Sequence, residues 1–240
     1  MKYLLLIFFP IFSFGQEKFK VEYEVRKFMN FGKTEQDLET EKRYSRPLYI
    51  ELTGDNNRCS QKQIVKLDNS QGATSNLNYI GGYKDLESYY DFDKNYLKVS
   101  REMDNKLYLI KVDFTKINWN LTRETKVIKG FNVKKAIYEE GDLLLEAWYA
   151  TEIKSKCGPN NYNNLPGLIL EMRKSFKTVP DQYMTYKLES IQLDNSLKFT
   201  EPNKGKLINQ EEFKKLESEY KKRVQMMVDA ENSSGGVEKD

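Results

Sequence analysis

From Lys18 onward, apolar and polar positions alternate with a period of two. Phe19, Val21, Tyr23 and Val25 interleave with Lys20, Glu22, Glu24 and Arg26, as in a strand with one buried face. Leu48, Ile50 and Leu52 repeat the alternation and stop at the turn-forming run Thr53-Gly54-Asp55-Asn56-Asn57. Phe28 to Glu41 is polar and aperiodic, with Gly32 as a breaker, and predicts irregular chain. Residues 67–84, rich in Asn, Ser and Gly, predict a surface loop. Two hairpins follow. Tyr96 to Ser100 returns through Asp104-Asn105 into Leu107 to Phe114, and Phe131 to Tyr138 returns through Glu140-Gly141-Asp142 into Leu143 to Tyr149. Leu165-Pro166-Gly167 predicts a tight turn, with Pro166 fixing φ and Gly167 taking a positive φ. The strand Leu168 to Arg173 leaves it with Leu168, Leu170 and Met172 on one face. Further on, Met184, Tyr186 and Leu188 alternate while Ile191 and Leu193 fall out of phase, which predicts a bulge near Ser190.

The period changes to 3.6 near the end. Asn209 and Glu212 form a capping-box-like pair, and Ile208 and Phe213 occupy staple positions. Phe213, Leu216, Tyr220, Val224 and Met227 then make an apolar stripe over a helix at 209–228. Residues 229–240, with Ser233-Ser234-Gly235-Gly236, predict a disordered tail. Short strands, frequent turns and one late helix predict a mainly-β fold. It is a curved antiparallel sheet or open half-barrel with the C-terminal helix packed on it, and a β-sandwich is the alternative.

Residues 1–15 carry Lys2, an apolar run from Tyr3 to Phe12, and Ser13-Phe14-Gly15. That order predicts a signal peptide cleaved before Gln16. The run is shorter than the ~20 residues needed to span a bilayer, and no later run is long enough, so no transmembrane segment is expected. The product is expected to be exported, in the periplasm or associated with the outer membrane, as one domain over 16–228. A net charge of +3, spread evenly along the strands, argues against a nucleic-acid partner. Cys59 and Cys157 are the two cysteines. In an oxidising compartment they are a disulfide candidate, against the alternative of two separately buried thiols.

Histidine is absent, which removes Ser-His-Asp and Cys-His nucleophiles and His-ligated zinc. No glycine-rich phosphate loop follows a strand, and no cofactor or metal is expected. Asp91 and Asp93 share one face of an extended chain and are a weak calcium candidate. Glu139, Glu140 and Asp142 cluster at a hairpin tip, where solvation explains them. Tyr89, Tyr90, Tyr96, Trp119, Trp148, Tyr149 and Tyr162 lie near predicted strands. They are either cross-strand packing or the lining of a groove for glycan, lipid or peptide. Asn120-Leu121-Thr122 fits an N-glycosylation acceptor pattern.

Several motifs together carry a family resemblance. Residues 164–169 read Asn-Leu-Pro-Gly-Leu-Ile. They are preceded by Ala147-Trp148-Tyr149 with Glu152-Ile153, and by Gly158-Pro159 with Tyr162. Trp119 to Ala136 and Lys204-Gly205-Lys206 extend the match. The chain resembles the GLPGLI family of exported envelope proteins from Bacteroidetes-type bacteria, with Asn164 at the usual first Gly and Val133 where a Cys is common. The resemblance implies a place in the cell envelope and no agreed activity. It singles out Trp148, Tyr149, Gly158, Pro159, Tyr162, Leu165, Pro166, Gly167 and Leu168 as binding or structural residues, and none as catalytic. The leading expectation is a non-enzymatic binding or assembly accessory whose partner is an envelope protein. A carrier of lipid or another hydrophobic ligand on the concave face of the sheet stands second. A carboxylate-dependent hydrolase, which needs two acidic groups across a cleft, stands third.

Overall fold

A computed structural model describes residues 18–66 and 83–234. The expected signal peptide and its cleavage point, most of the expected loop at 67–84, and residues 235–240 of the expected tail lie outside the described residues.

The fold is mainly β. The strands are β1 (Phe19–Phe28), β2 (Leu48–Gly54), β3 (Arg58–Ile64), β4 (Tyr83–Asp91), β5 (Tyr96–Met103), β6 (Lys106–Val112), β7 (Asn120–Ile128), β8 (Phe131–Glu140), β9 (Leu143–Ala150), β10 (Leu168–Phe176), β11 (Val179–Leu193) and β12 (Lys206–Asn209). They form one twelve-stranded sheet in the order β12-β6-β5-β4-β3-β2-β1-β11-β10-β9-β8-β7. Every pairing is antiparallel except β12 with β6. The sheet does not close, since β12 and β7 remain as edges. The curved open sheet expected from the alternation is therefore the fold, and the sandwich is not.

The hairpin turns follow from local chemistry. Asp104 and Asn105, at φ 53° and 56°, make the two-residue turn between β5 and β6, and Gly141 at φ 57° turns β8 into β9. β1 lies at the centre, and its pairing with β11 shifts register between Ser190 and Leu188, the bulge that the phase change predicts. One face of β1 (Phe19, Val21, Tyr23, Val25) joins Ile50, Leu52, Tyr186, Leu188 and Met172 in the main core. Tyr23 is fully buried, and its hydroxyl donates to the carbonyl of Ile169 at 2.6 Å. Tyr23→Phe removes this buried hydrogen bond from the carbonyl. The expected loss is about 1–3 kcal/mol in urea unfolding, and an unchanged midpoint would contradict this account.

Two helices flank the sheet. α1 (Glu35–Tyr44) starts inside the stretch Phe28 to Glu41 that its lack of period predicts to be irregular. It buries no side chain and so carries no apolar stripe to read. It forms because Thr34 and Asp37 close a reciprocal capping box. α2 (Gln210–Ser234) starts as the sequence predicts. The Asn209 side chain accepts from Glu212 N at 2.9 Å, and the Glu212 carboxylate accepts from Asn209 N at 2.8 Å. Ile208 and Phe213 then pack with Met103, Tyr108 and Ile110 in a second, smaller core. The helix runs on to Ser234, into the segment expected as tail, where Ala230 and Glu231 are good helix formers. Among the described residues no helix is long and apolar enough to cross a membrane.

Candidate functional site

The segment between β9 and β10, residues 151–167, lies across one face of the sheet. Its first anchor is covalent: Cys157 is disulfide-bonded to Cys59 of β3. Beside it, Lys156 N donates to Asn56 O at 3.0 Å and the Ser155 hydroxyl to Asp55 O at 3.4 Å, so the loop sits on the β2–β3 hairpin tip. The second anchor is the chain between β6 and β7. Trp119 Nε1 donates to Asn163 O at 2.7 Å, and Asn164 Nδ2 donates to Ile117 O at 3.0 Å.

Between these anchors the loop holds a single 3-10 turn, Pro159–Asn161. Asn160, Asn161 and Asn164 take left-handed conformations, at φ 47°, 69° and 73°. Asparagine tolerates that region better than other residues with a Cβ, yet the cost is real and must be met by fixed partners. Gln61 provides them: its side-chain oxygen accepts from Asn160 N at 2.8 Å, and its amide donates to Asn160 Oδ1 at 3.0 Å. Asn160 Nδ2 in turn donates to the Tyr186 hydroxyl at 2.9 Å.

This polar cluster lines a groove of about 530 Å³ on the concave face. Tyr83, Tyr90, Tyr162 and Tyr186 contribute aromatic surface, and Gln61, Gln63, Asn160 and Asn161 contribute amides. Val25, Leu48, Ile50, Leu97, Val99 and Met184 make apolar wall. Burial pushes the Tyr162 hydroxyl up to about 12 and raises that of Tyr186 further, so both are protonated donors at neutral pH. Lys27, Arg101 and Lys174 bring cations to the wall, and Asp85 and Glu87 bring carboxylates. Arg101 is paired with Asp85, and Glu87 accepts from the Ser60 hydroxyl at 3.2 Å.

The singled-out residues divide sharply. Tyr162 lines the groove, while Tyr149, Leu165 and Leu168 are buried beneath the loop and Pro166 is exposed. Pro159 opens the 3-10 turn, and a Cβ on Gly158 would lie 2.1 Å from Tyr162 O. Gly167 does not have a positive φ, which corrects the turn reading. It is needed for space, because a Cβ there would lie 2.2 Å from Ala150 O. Trp148 points to the opposite face, where Lys126 Nζ lies 4.3 Å from its ring centre. Tyr89 and Tyr96 pair on that face too, with rings 6.4 Å apart.

The acidic candidates are turn caps. Asp91 Oδ1 accepts from the backbone of Asp93 and Lys94, at 3.1 and 2.9 Å. Asp142 accepts from Thr178 N at 2.8 Å, and Glu139 pairs with Lys177. The carboxylates that do face the groove, Asp85 and Glu87, were not singled out. Neither were Gln61, Gln63, Lys27, Arg101 or Lys174. Their signal is a polar residue in the inward phase: Gln61 and Gln63 continue the phase of Cys59, Lys27 that of Val25, and Lys174 that of Met172.

Among curated proteins, none matches the chain. Two crystal forms of PNGF-II, in space groups C2 and P21, match in fold with TM-scores of 0.56 and 0.57 at 14% and 15% identity. Each covers 85% of this chain, against 33% and 34% of its own, so the chain spans about a third of PNGF-II. A LolA superfamily protein from Nitrosomonas europaea covers 78% of this chain and 92% of its own at 9% identity. Its TM-score of 0.36 is too low to bear an argument. The family described as the N-glycanase peptide, N-terminal domain, matches residues 90–214, from the end of β4 into α2.

That match corrects the expectation of a non-enzymatic accessory, since the matching family is named for an N-glycanase. The missing histidines exclude particular nucleophiles and zinc sites, but carboxylate chemistry needs no histidine, so their absence was too weak a ground. With a disulfide-clamped loop over a concave sheet, and a match across just over half its length, the chain belongs to the N-glycanase peptide N-terminal domain family.

Proposed function

We propose that this chain works in N-glycan processing outside the cytoplasm, holding the saccharide of a glycoprotein in its concave groove. The observation that carries the reading is the composition of that groove, four tyrosines beside four side-chain amides. Tyrosine rings offer flat apolar surface to the C–H faces of a sugar, and amides match hydroxyls that both donate and accept. The family match supports the glycan as the ligand class. The N-terminal segment expected as a signal peptide, the Cys59–Cys157 bond and the resemblance to the GLPGLI signature support an exported protein of the envelope.

The test is calorimetric titration of the purified chain with an N-glycopeptide and with the same peptide lacking its glycan. Saturable binding of the glycopeptide alone is expected, and equal behaviour of the two peptides would overturn the reading. Mass spectrometry of the same mixtures reads any released glycan directly, which bears on Asp85 and Glu87 as working carboxylates. A carrier of a hydrophobic ligand is the second reading, favoured by the apolar wall of Val25, Leu48, Ile50, Leu97, Val99 and Met184. It predicts a lipid retained by protein purified from its own envelope.

A further inference from the structure

We propose that the groove prefers an acidic saccharide to a neutral one and holds the acidic group between Lys27 and Lys174. The proposal rests on the saccharide reading above and adds the charge of the ligand.

Lys27 on β1 and Lys174 on β10 both stand opposite Met184 on β11, so the three residues form one row across adjacent strands. All three line the groove. Two strand spacings separate the lysine backbones by about 10 Å, which two four-carbon stems readily bridge around a single anion. The other charged residues of the groove have their partners: Arg101 has Asp85, Lys62 has Glu51, and Glu87 has Ser60. Lys27 and Lys174 have none of this kind among the described residues. Their ammonium groups lie 5.6 Å from the ring centres of Tyr44 and Phe176 respectively, and no carboxylate answers them. Two cations aligned on one concave face repel each other, and an anion between them turns that repulsion into attraction.

A second observation makes the ligand a saccharide acid and not a bare anion. Gln63 Oε1 and Asn161 Oδ1 are buried atoms of the same groove with no hydrogen-bond partner. Buried amide oxygens are seldom left in that state. Both side chains line the groove, and swinging the amide out into it lets the oxygen accept from a sugar hydroxyl while the amide nitrogen donates to another. The ligand class is therefore a polyhydroxylated chain with a carboxylate or sulfate, of which a sialylated N-glycan is the accessible probe.

The experiment titrates the full mature chain with a sialylated biantennary N-glycopeptide and with the same glycopeptide after removal of its sialic acids. Free sialic acid and phosphatidylglycerol vesicles are run in parallel. The sialylated form is expected to bind about tenfold more tightly, which corresponds to about 1.4 kcal/mol. The preference is expected to shrink towards unity in high salt, and to be lost in the Lys27→Gln/Lys174→Gln double variant. Equal affinity for the two glycopeptides in the unaltered chain would overturn the proposal and leave the saccharide reading standing. A preference that survives in the folded double variant would overturn the assignment to these lysines. The salt dependence and the wild-type comparison need no variant, so a double variant that fails to fold does not shield the proposal. Binding of the vesicles with neither glycopeptide bound would overturn both the proposal and the saccharide reading.

Discussion

Replacing both cysteines, as Cys59→Ala with Cys157→Ala, is expected to lower unfolding stability by up to about 4.7 kcal/mol in the chain-entropy account of a loop this long. The bond joins residues 98 apart in sequence, so without it the unfolded chain regains a large share of its freedom. The folded state also loses something particular. Cys59 lies two residues from Gln61, whose side chain holds Asn160 at both its backbone N–H and its side chain. Cys157 is buried beside the same loop, where its N–H donates to the Ser155 hydroxyl at 3.0 Å. Freed from β3, the loop keeps its hydrogen bonds to Ile117 and Trp119 but loses its covalent fix on the hairpin tip. The three left-handed asparagines then have less to hold them, and the groove loses its ordered floor. Urea unfolding with and without reductant reads the stability, and glycopeptide titration of the reduced protein reads the floor. A shift below about 1 kcal/mol would mean that the hydrogen bonds alone hold the loop.

How much of this was legible in the sequence depends on the range of the interaction. The alternation of β1, the hairpin β5–β6 with Asp104-Asn105, the bulge near Ser190 and the Asn209–Glu212 cap are local, and each residue pattern names its element. α1 escaped because none of its side chains is buried, so hydrophobic period carried no information there. β7 escaped for a related reason, since as an edge strand it is exposed along most of its length and shows no alternation. The groove was illegible for a deeper reason. Lys27 and Lys174 become neighbours only because β11 returns to lie between β1 and β10, a pairing that no short window contains. The sequence did show charged and amide residues falling on the inward phase of three strands. Such residues are poor core formers, and their position marks where the core opens into a cavity.

Gly167→Ala is expected to destabilise the protein by about 3 kcal/mol or more, since overpacking costs are typically 1–3 and here every obstacle is backbone. A Cβ at Gly167 would stand 2.2 Å from Ala150 O, 2.7 Å from Ala150 C and 3.0 Å from Thr151 Cα. No rotamer change relieves a contact with main chain, so β9 and β10 must part. They cannot part cheaply. Leu168 pairs with Ala150 in the ladder, and Leu168 N also donates to Ile153 O at 3.0 Å where the loop begins. Leu168, Ile169 and Leu170 just beyond are almost wholly buried, so any shift of the strand start is passed into the main core. The expectation also separates two accounts of the glycine. Were a positive φ its purpose, asparagine would serve there as well as it does at Asn164, whose φ is 73°. Because the requirement is space, Gly167→Asn is expected to be at least as damaging as Gly167→Ala. Melting curves of the two variants side by side decide the matter, and an asparagine variant as stable as the unaltered chain would restore the conformational account.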